Sequence, residues 1–289
     1  MTRLMAAEFF KLRKRMMTWV VAVLMVGLVI LLYSILWSVS GHVTTFGENN
    51  QFTGQDLRRA LFLQASVPFS LQVVAAFGTI FAMILAAGAV GSEYSWGTVR
   101  LMATAASGRV RLLASKLLVV CGLIVVGTLL AVVVGLIYSS IITVTNGGSN
   151  LDFVTAGFVR DQAESLGRTL FVMTPYVTLA FAMAAIGRST LAGVGAGLGI
   201  AFIEPLINGL MRLGGSPWKD IPNFLINANT DVVLLQNKVP DVIRLGPTAQ
   251  DIARNHVNGV PEAMLILALY SAAFIALAFV VYRRRDITA

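Results

Sequence analysis

The chain has 289 residues, of which 57% are hydrophobic and only 12% are charged. A soluble domain carries about 25% charged residues, and a chain this apolar fits neither a disordered protein nor a globular domain that keeps its apolar surface out of water. A polytopic membrane protein is the remaining class, and the positions of its charges must account for a net charge of +8.

Six apolar runs are long enough, or nearly so, to cross a bilayer as helices. The hydrocarbon core is about 30 Å thick, which takes about 20 residues of helix. Strands of a membrane barrel would be about 10 residues long with alternating polarity, and these runs are longer and more uniform. The sequence therefore predicts an all-α polytopic membrane protein whose single transmembrane domain covers residues 1–289. The predicted spans are 17–39, 69–90, 117–144, 170–186, 191–210 and 263–282.

The basic surplus follows this topology. Six spans place both termini on one side, and that side carries thirteen Lys and Arg residues against three acidic ones. The positive-inside rule makes it the cytoplasmic side. Because topology accounts for the surplus, no nucleic-acid partner is expected.

An amphipathic helix is predicted at the N-terminus, over residues 2–16. At 100° per residue Phe9 lies on an apolar stripe, whereas Glu8, Lys11 and Arg15 fall on the opposite, polar side. Such a helix lies on the inner leaflet. It is either an anchor that sets the topology or an elbow helix that also contacts a cytoplasmic partner.

Two segments between the spans are long enough to carry structure of their own. The cytoplasmic segment 91–116 predicts a short helix over 98–105, and its Tyr94 and Trp96 suit the headgroup region. It is either a loop along the membrane surface or a docking surface for a soluble protein. The outer segment 211–261 is divided by five prolines and is expected to fold back onto the outer mouth of the bundle.

Residues that would catalyse a reaction or hold a metal are scarce. None of the five lysines stands between the Gly and the Ser or Thr that a phosphate-binding loop requires. Cys121 is the single cysteine, and the two histidines have no metal-ligand spacing. The chain is therefore not expected to be an enzyme, or to hold a cofactor or metal. The glycine-rich run 193–199 lies inside a predicted span, where it is expected to let another helix approach closely.

Glu204 is the single acidic residue inside a predicted span. An intramembrane carboxylate costs about 3 kcal/mol, which makes it a functional candidate. Its position, about 20 Å of helix rise beyond Leu191, is near the outer interface. Two interpretations remain open. In the first, Glu204 and Pro205 belong to a gate or transport path. In the second, the helix breaks at Pro205 and Glu204 is an interfacial cap that reaches water, because proline disfavours the helical region for the residue before it.

Several motifs together resemble the permeases of the ABC-2 class, which are type V exporter-like subunits of ATP-binding-cassette transporters. The opening is similar to the start of those chains and reads Glu8-Phe-Phe-Lys11-Leu-Arg-Lys-Arg15. A second stretch resembles the signature that the family carries after its second helix, and it reads Gly91-Ser-Glu93-Tyr94-Ser-Trp96-Gly97-Thr98-Val-Arg100. The resemblance continues through Ser107-Gly-Arg109 and Leu113-Ala-Ser-Lys116. The turn Gly187-Arg188-Ser189-Thr190 is similar to the family as well.

The resemblance implies a six-helix subunit that pairs with a second permease, as a homodimer or heterodimer, and docks a separate ATPase subunit that holds ATP and Mg. It implies an elbow helix with Phe9, Lys11 and Arg15, a cytoplasmic coupling helix between the second and third spans, and an extracellular fold-back between the fifth and sixth. The ATPase-coupling residues that it carries over are Glu93, Tyr94, Trp96, Thr98 and Arg100.

The function implied by the resemblance is ATP-driven export of an amphipathic or hydrophobic substrate, such as a lipid, peptide or drug-like molecule. The chain would be a lipid-embedded, multi-pass protein of a bacterial plasma membrane with both termini cytoplasmic. Two alternatives stay open. A membrane-embedded immunity or assembly protein would transport nothing, and a secondary transporter would be expected to show midplane charges and inverted repeats, which this sequence does not show.

Overall fold

The computed structural model of the protein describes residues 2–46, 52–95, 108–146, 152–215, 217–248, 250–252 and 258–284. The helices in chain order are α1 (Thr2–Lys14), α2 (Met16–Ser40), α3 (Gly54–Ala60), α4 (Leu63–Val73), α5 (Thr79–Ser95), α6 (Arg109–Thr145), α7 (Ala156–Gly187), α8 (Thr190–Arg212), α9 (Ile226–Leu235) and α10 (Val260–Arg284). A π-helical turn, Val74–Gly78, joins α4 to α5, and two 3-10 helices, Trp218–Phe224 and Asp241–Ile243, flank α9. A short pair of antiparallel strands, β1 (Thr45–Phe46) and β2 (Phe52–Thr53), precedes α3.

Within the described residues, six helices are long and apolar enough to cross a membrane, namely α2, the continuous α4–α5 unit, α6, α7, α8 and α10. This confirms the prediction of a helical chain with six spanning segments. Each predicted span lies inside a longer helix, and α7 begins at Ala156 rather than at Leu170. A run without charged residues marks only the part of a helix that can lie in the hydrocarbon core of the bilayer. Ion pairs such as Arg160 with Glu164, 2.9 Å apart, stabilise helix α7 beyond that part.

The α4–α5 unit and α7 form the centre of the bundle. In each of them 67% of the most apolar stretch is buried, against 17–28% in the other four long helices. Helix α7 packs against α5, α8 and α10, while α4 packs against α6. The outer four helices therefore keep uncovered apolar faces, as helices that contact lipid do.

Two glycines allow α8 to pack closely on α5 and α7. A Cβ on Gly193 would lie 2.7 Å from the Ala87 methyl group, and one on Gly197 would lie 2.6 Å from a methionine sulfur of α5. A Cβ on Gly195 or Gly199 would meet nothing within 4 Å. The predicted packing role of the glycine-rich run 193–199 is confirmed for Gly193 and Gly197, which are four residues apart and therefore share one helix face.

The substitution Gly193→Ala is expected to destabilise the protein by about 1–3 kcal/mol, because the added methyl group forces α8 away from α5 and α7. The matched substitution Gly195→Ala, in the same helix, adds its methyl group in open space and is expected to leave stability unchanged or slightly raised. Thermal unfolding in detergent measures both. Equal unfolding temperatures would contradict the packing of α8 described above.

Candidate functional site

Four charged side chains meet at the end of the bundle where α1 packs. Glu8 on α1, Glu93 near the end of α5 and Lys116 near the start of α6 are almost completely buried, with 5%, 3% and 1% of their surfaces exposed. Lys11, one turn after Glu8, is partly buried. We call these four residues the ionic cluster.

Each carboxylate of the ionic cluster contacts both lysines. Lys11 Nζ lies 2.9 Å from Glu8 Oε1, and Lys116 Nζ lies 2.9 Å from Glu8 Oε2. Both ammonium groups also donate to Glu93 Oε1. The four side chains therefore form a closed, electrically neutral ring that joins three helices.

Burial makes this pairing obligatory. An ion taken from water into an apolar interior loses several kcal/mol of solvation, which only partners of opposite charge and hydrogen bonds offset. Burial acts to lower the pKa of Lys11, but hydrogen bonds to Glu93 and Glu8 outweigh it and raise that pKa, so Lys11 stays protonated at neutral pH. The helices must keep their relative positions for the buried charges to stay compensated.

Side chains at the start of α2 fix the angle at which α1 joins it. The backbone is extended at Arg15, between the two helices. The Thr18 hydroxyl donates to the Leu12 carbonyl oxygen at 2.7 Å, and Trp19 Nε1 donates to the Arg13 carbonyl oxygen at 2.9 Å. These two carbonyl groups lie in the last turn of α1, where backbone acceptors have no partner inside the helix. The hydrogen bonds from α2 therefore hold α1 in place against the bundle.

The last turns of α5 are held on several sides. Arg15 donates to the Gly88 carbonyl oxygen at 3.0 Å and to the Ser92 hydroxyl at 2.7 Å. Gly91 packs so closely against the start of α8 that a Cβ there would overlap the Thr190 backbone. One end of α5 therefore contacts α8, the junction of α1 and α2, and the ionic cluster.

The structure brings only part of the predicted coupling and elbow residues together. Lys11 and Glu93 meet in the ionic cluster, and Arg15 lies close enough to Glu93 for their opposite charges to attract each other. Phe9 is exposed on α1, whereas Tyr94 is half-buried and packs against the core. Trp96, Thr98, Arg100 and the predicted helix over 98–105 lie outside the described residues.

Sequence reasoning missed two members of the ionic cluster. The helical wheel places Glu8 on the polar side of the N-terminal helix, and the structure shows that this side faces α5 and α6 and buries Glu8. Lys116, the last residue of the predicted cytoplasmic segment 91–116, lies inside α6. One signal was available: Glu8 and Glu93 are two of only three acidic residues on the predicted basic side.

At the other end of the bundle, Glu204 caps a helix. It is 7% exposed, and its carboxylate accepts the backbone N–H groups of Ile226 and Asn227, the first residues of α9. Amides at a helix start lack partners inside the helix and favour a negative charge. The helix break that one of the two interpretations assumes does not occur, since α8 continues through Pro205 to Arg212. A gate or transport-path role for Glu204 and Pro205 stays a prediction.

Buried amides fasten α9 to its surroundings. The fully buried Asn229 donates to the Asn223 carbonyl oxygen at 2.8 Å and to that of Leu225 at 2.7 Å. Asn258, just before α10, donates to Asn229 Oδ1 at 3.0 Å. Helix α9 also packs against α7, α8 and α10, so it lies against one end of the bundle.

The substitution Glu93→Gln is expected to destabilise the protein by about 3–5 kcal/mol, because Lys11 and Lys116 keep buried charges with one partner fewer. Lys116→Met is expected to destabilise the protein by a similar amount, because Glu8 and Glu93 then keep buried charges with one partner fewer. The double variant removes one charge of each sign and should regain much of the loss. Thermal unfolding in detergent measures all three.

A control for these variants is Lys238→Met, which breaks an exposed pair with Asp161 and should change little. If the double variant lost as much stability as both single variants together, the ionic cluster would not be an energetic unit.

The substitution Glu204→Leu is expected to speed hydrogen exchange of the Ile226 and Asn227 amides at least about tenfold, because both lose their acceptor and the first turn of α9 frays. Glu204→Gln keeps an oxygen acceptor and should lie between Glu204→Leu and the unchanged protein. Exchange followed by mass spectrometry makes the measurement. Unchanged protection in Glu204→Leu would show that α9 does not need this cap.

Within the described ranges, no group of three or more His, Cys, Asp or Glu residues is arranged to hold a metal ion. A comparison with curated proteins finds no match. A family model with the description "Protein of unknown function (DUF2705)" matches residues 62–288, which run from the start of α4 past the end of α10. Because this match covers well over half of the sequence, the chain belongs to the DUF2705 family.

Proposed function

We propose that this chain is the transmembrane permease subunit of an ATP-binding-cassette exporter whose energy comes from a separate ATPase subunit. The observation that carries the proposal is the ionic cluster. It ties α1 to α5 and α6, the two helices that flank segment 96–107. The resemblance to ABC-2 permeases assigns the ATPase contact to that segment.

The ionic cluster supplies a physical route for such coupling. A partner that moves segment 96–107 acts on the end of α5 and the start of α6, because the segment connects them. Separating Glu93 from Lys116 would leave buried charges uncompensated, so both helix ends and α1 move as one body. The close contact of Gly91 with Thr190 extends that body to α8.

In this mechanism ATP binding closes the partner ATPase, and the bundle changes from an inward-open to an outward-open state. The chain breaks no bond in the substrate and needs no cofactor of its own, since ATP and Mg belong to the ATPase subunit. The apolar helices favour an amphipathic or hydrophobic substrate.

Charge and exposed surface support the placement of the chain. The basic surplus favours a bacterial plasma membrane with both termini in the cytoplasm. Exposed residues of α8, among them Leu206 and Leu210 at 67% and 70% exposure, supply an apolar face for a second permease subunit or for lipid.

The test is co-expression with the P-loop ATPase encoded nearest to this gene, followed by purification of the complex and measurement of ATP turnover. We expect an ATPase to co-purify. Trp96→Ala and Arg100→Ala should weaken its docking about tenfold or more, because interface aromatic and arginine side chains dominate such contacts. Glu93→Gln with Lys116→Met should keep docking but change the response of ATP turnover to substrate.

A matched control is Arg160→Ala, which lies on the exposed start of α7 at the other end of the bundle and should alter neither docking nor turnover. Purification of the full chain without any ATPase, under conditions that preserve its fold, would overturn the proposal in favour of a membrane-embedded immunity or assembly protein.

A further inference from the structure

A cavity of about 390 Å³ lies at the end of the bundle opposite the ionic cluster. The π-helical turn and the start of α5 form one wall, and Tyr176 of α7 and Pro205 of α8 form others. Helix α9 and the loop as far as Pro247 complete it. Ile80 and Met83 make part of the lining apolar, so the cavity suits a ligand with an apolar body.

The polar lining holds hydrogen-bond acceptors beside groups that can also donate, such as Thr230 and Arg244. Asp231 contributes a carboxylate. Asn237, 3% exposed, donates Nδ2 to the Thr169 hydroxyl at 3.1 Å, and its Oδ1 has no partner in the part of the chain that the structure describes. Thr79 donates its hydroxyl proton to the Ala75 carbonyl oxygen at 2.6 Å, which leaves only lone pairs on that oxygen. A buried acceptor without a partner is costly, so the lining is complementary to a ligand that donates.

Two basic side chains lie near this cavity. Arg244 lines it, but it pairs with Asp241 at 2.9 Å and donates to the Val239 carbonyl oxygen at 2.7 Å. Arg212 donates to Asn208 Oδ1 at 2.6 Å, and its charge also acts on Asp231. Among the residues that the structure describes, no basic group forms a direct ion pair with Asp231, so a ligand can bring a positive charge closer to this carboxylate.

The surroundings of Asp231 make its charge responsive to pH. Burial raises the pKa of Asp231 to about 7, against the opposing effect of Arg212 and with a further contribution from Glu204. Tyr176 faces Asp231 from α7, and Tyr270 on α10 lies near Glu204. A cation in the cavity would favour the ionised carboxylate.

We propose that this cavity binds an organic ammonium ion with an apolar body, whose charged group pairs with Asp231. The binding claim stands on the geometry of the cavity. The further claim that such cations are exported rests on the proposed function.

Three small probes of equal shape test the binding claim, namely 4-phenylbutylamine, 4-phenylbutanol and 4-phenylbutyrate. Each is titrated by calorimetry into the full chain in lipid nanodiscs at pH 8, with empty nanodiscs as the blank. The amine should bind at least about tenfold more tightly than the alcohol, because only the amine pairs with the carboxylate. The carboxylate probe should bind most weakly.

The substitution Asp231→Asn keeps the size of the side chain and removes its charge. It should lower affinity for the amine about tenfold and leave affinity for the alcohol unchanged. The matched control Asp161→Asn, outside this cavity and paired with Lys238 on the surface, should leave both affinities unchanged.

Affinity for the amine should also fall as the pH drops through about 7, because protonated Asp231 has no charge to offer. The amine stays protonated throughout this range, so the change reports on the protein. Asp231→Asn should abolish most of this pH dependence, and a dependence that persists would assign it to another group and contradict the role of Asp231.

Equal affinities for the three probes, no measurable binding of the amine, or unchanged amine binding by Asp231→Asn would each overturn the proposal. The outcome is separable from that of the ATPase test. Amine binding without a co-purifying ATPase would support the cavity and contradict the exporter, and docking of an ATPase without amine binding would do the reverse.

Discussion

Buried charges in an apolar bundle can be stabilised only by one another, and this constraint organises one whole end of the protein. Glu8, Glu93 and Lys116 have almost no contact with solvent, and their neutral ring with Lys11 exists only when α1, α5 and α6 hold one relative position. Because each carboxylate pairs with both lysines, a shift of one of these helices relative to the others would separate at least one buried pair.

The N-terminal helix depends on the ring most of all. A helix of 13 residues is marginally stable by itself in water, and its apolar residues Phe9 and Phe10 are largely exposed. Three kinds of contact hold α1: the buried charges of Glu8 and Lys11, the hydrogen bonds that Thr18 and Trp19 donate to its last turn, and the packing of Leu12, which is 1% exposed, in the core. Because the partners of the first two kinds lie on α2, α5 and α6, the position of α1 follows the positions of those helices.

The sequence predicts the number, order and approximate centres of the six long helices, because hydrocarbon imposes an apolar run of known length. It also predicts that glycines between 193 and 199 serve packing. It does not predict the ionic cluster, because a helical wheel shows that Glu8 and Lys11 share a polar side but contains nothing about which helix lies opposite. A cap at Glu204 is one of the two interpretations that the sequence leaves open, but the sequence does not identify α9 as the helix that it caps. The two partners are 22 residues apart, and their contact depends on how the intervening segment folds.

The two ends of the bundle differ in how their buried polar groups are satisfied, and this difference indicates separate tasks. In the ionic cluster each charge has two partners and the total is neutral, so this end has little left to offer a ligand. At the other end Asn237 Oδ1 lacks a partner, and Asp231 forms no direct ion pair, among the described residues. Unsatisfied acceptors cost stability wherever they stay empty. In the proposed transporter, ligand binding belongs to the end with the cavity, and the closed ring couples the movement of the helices at the first end.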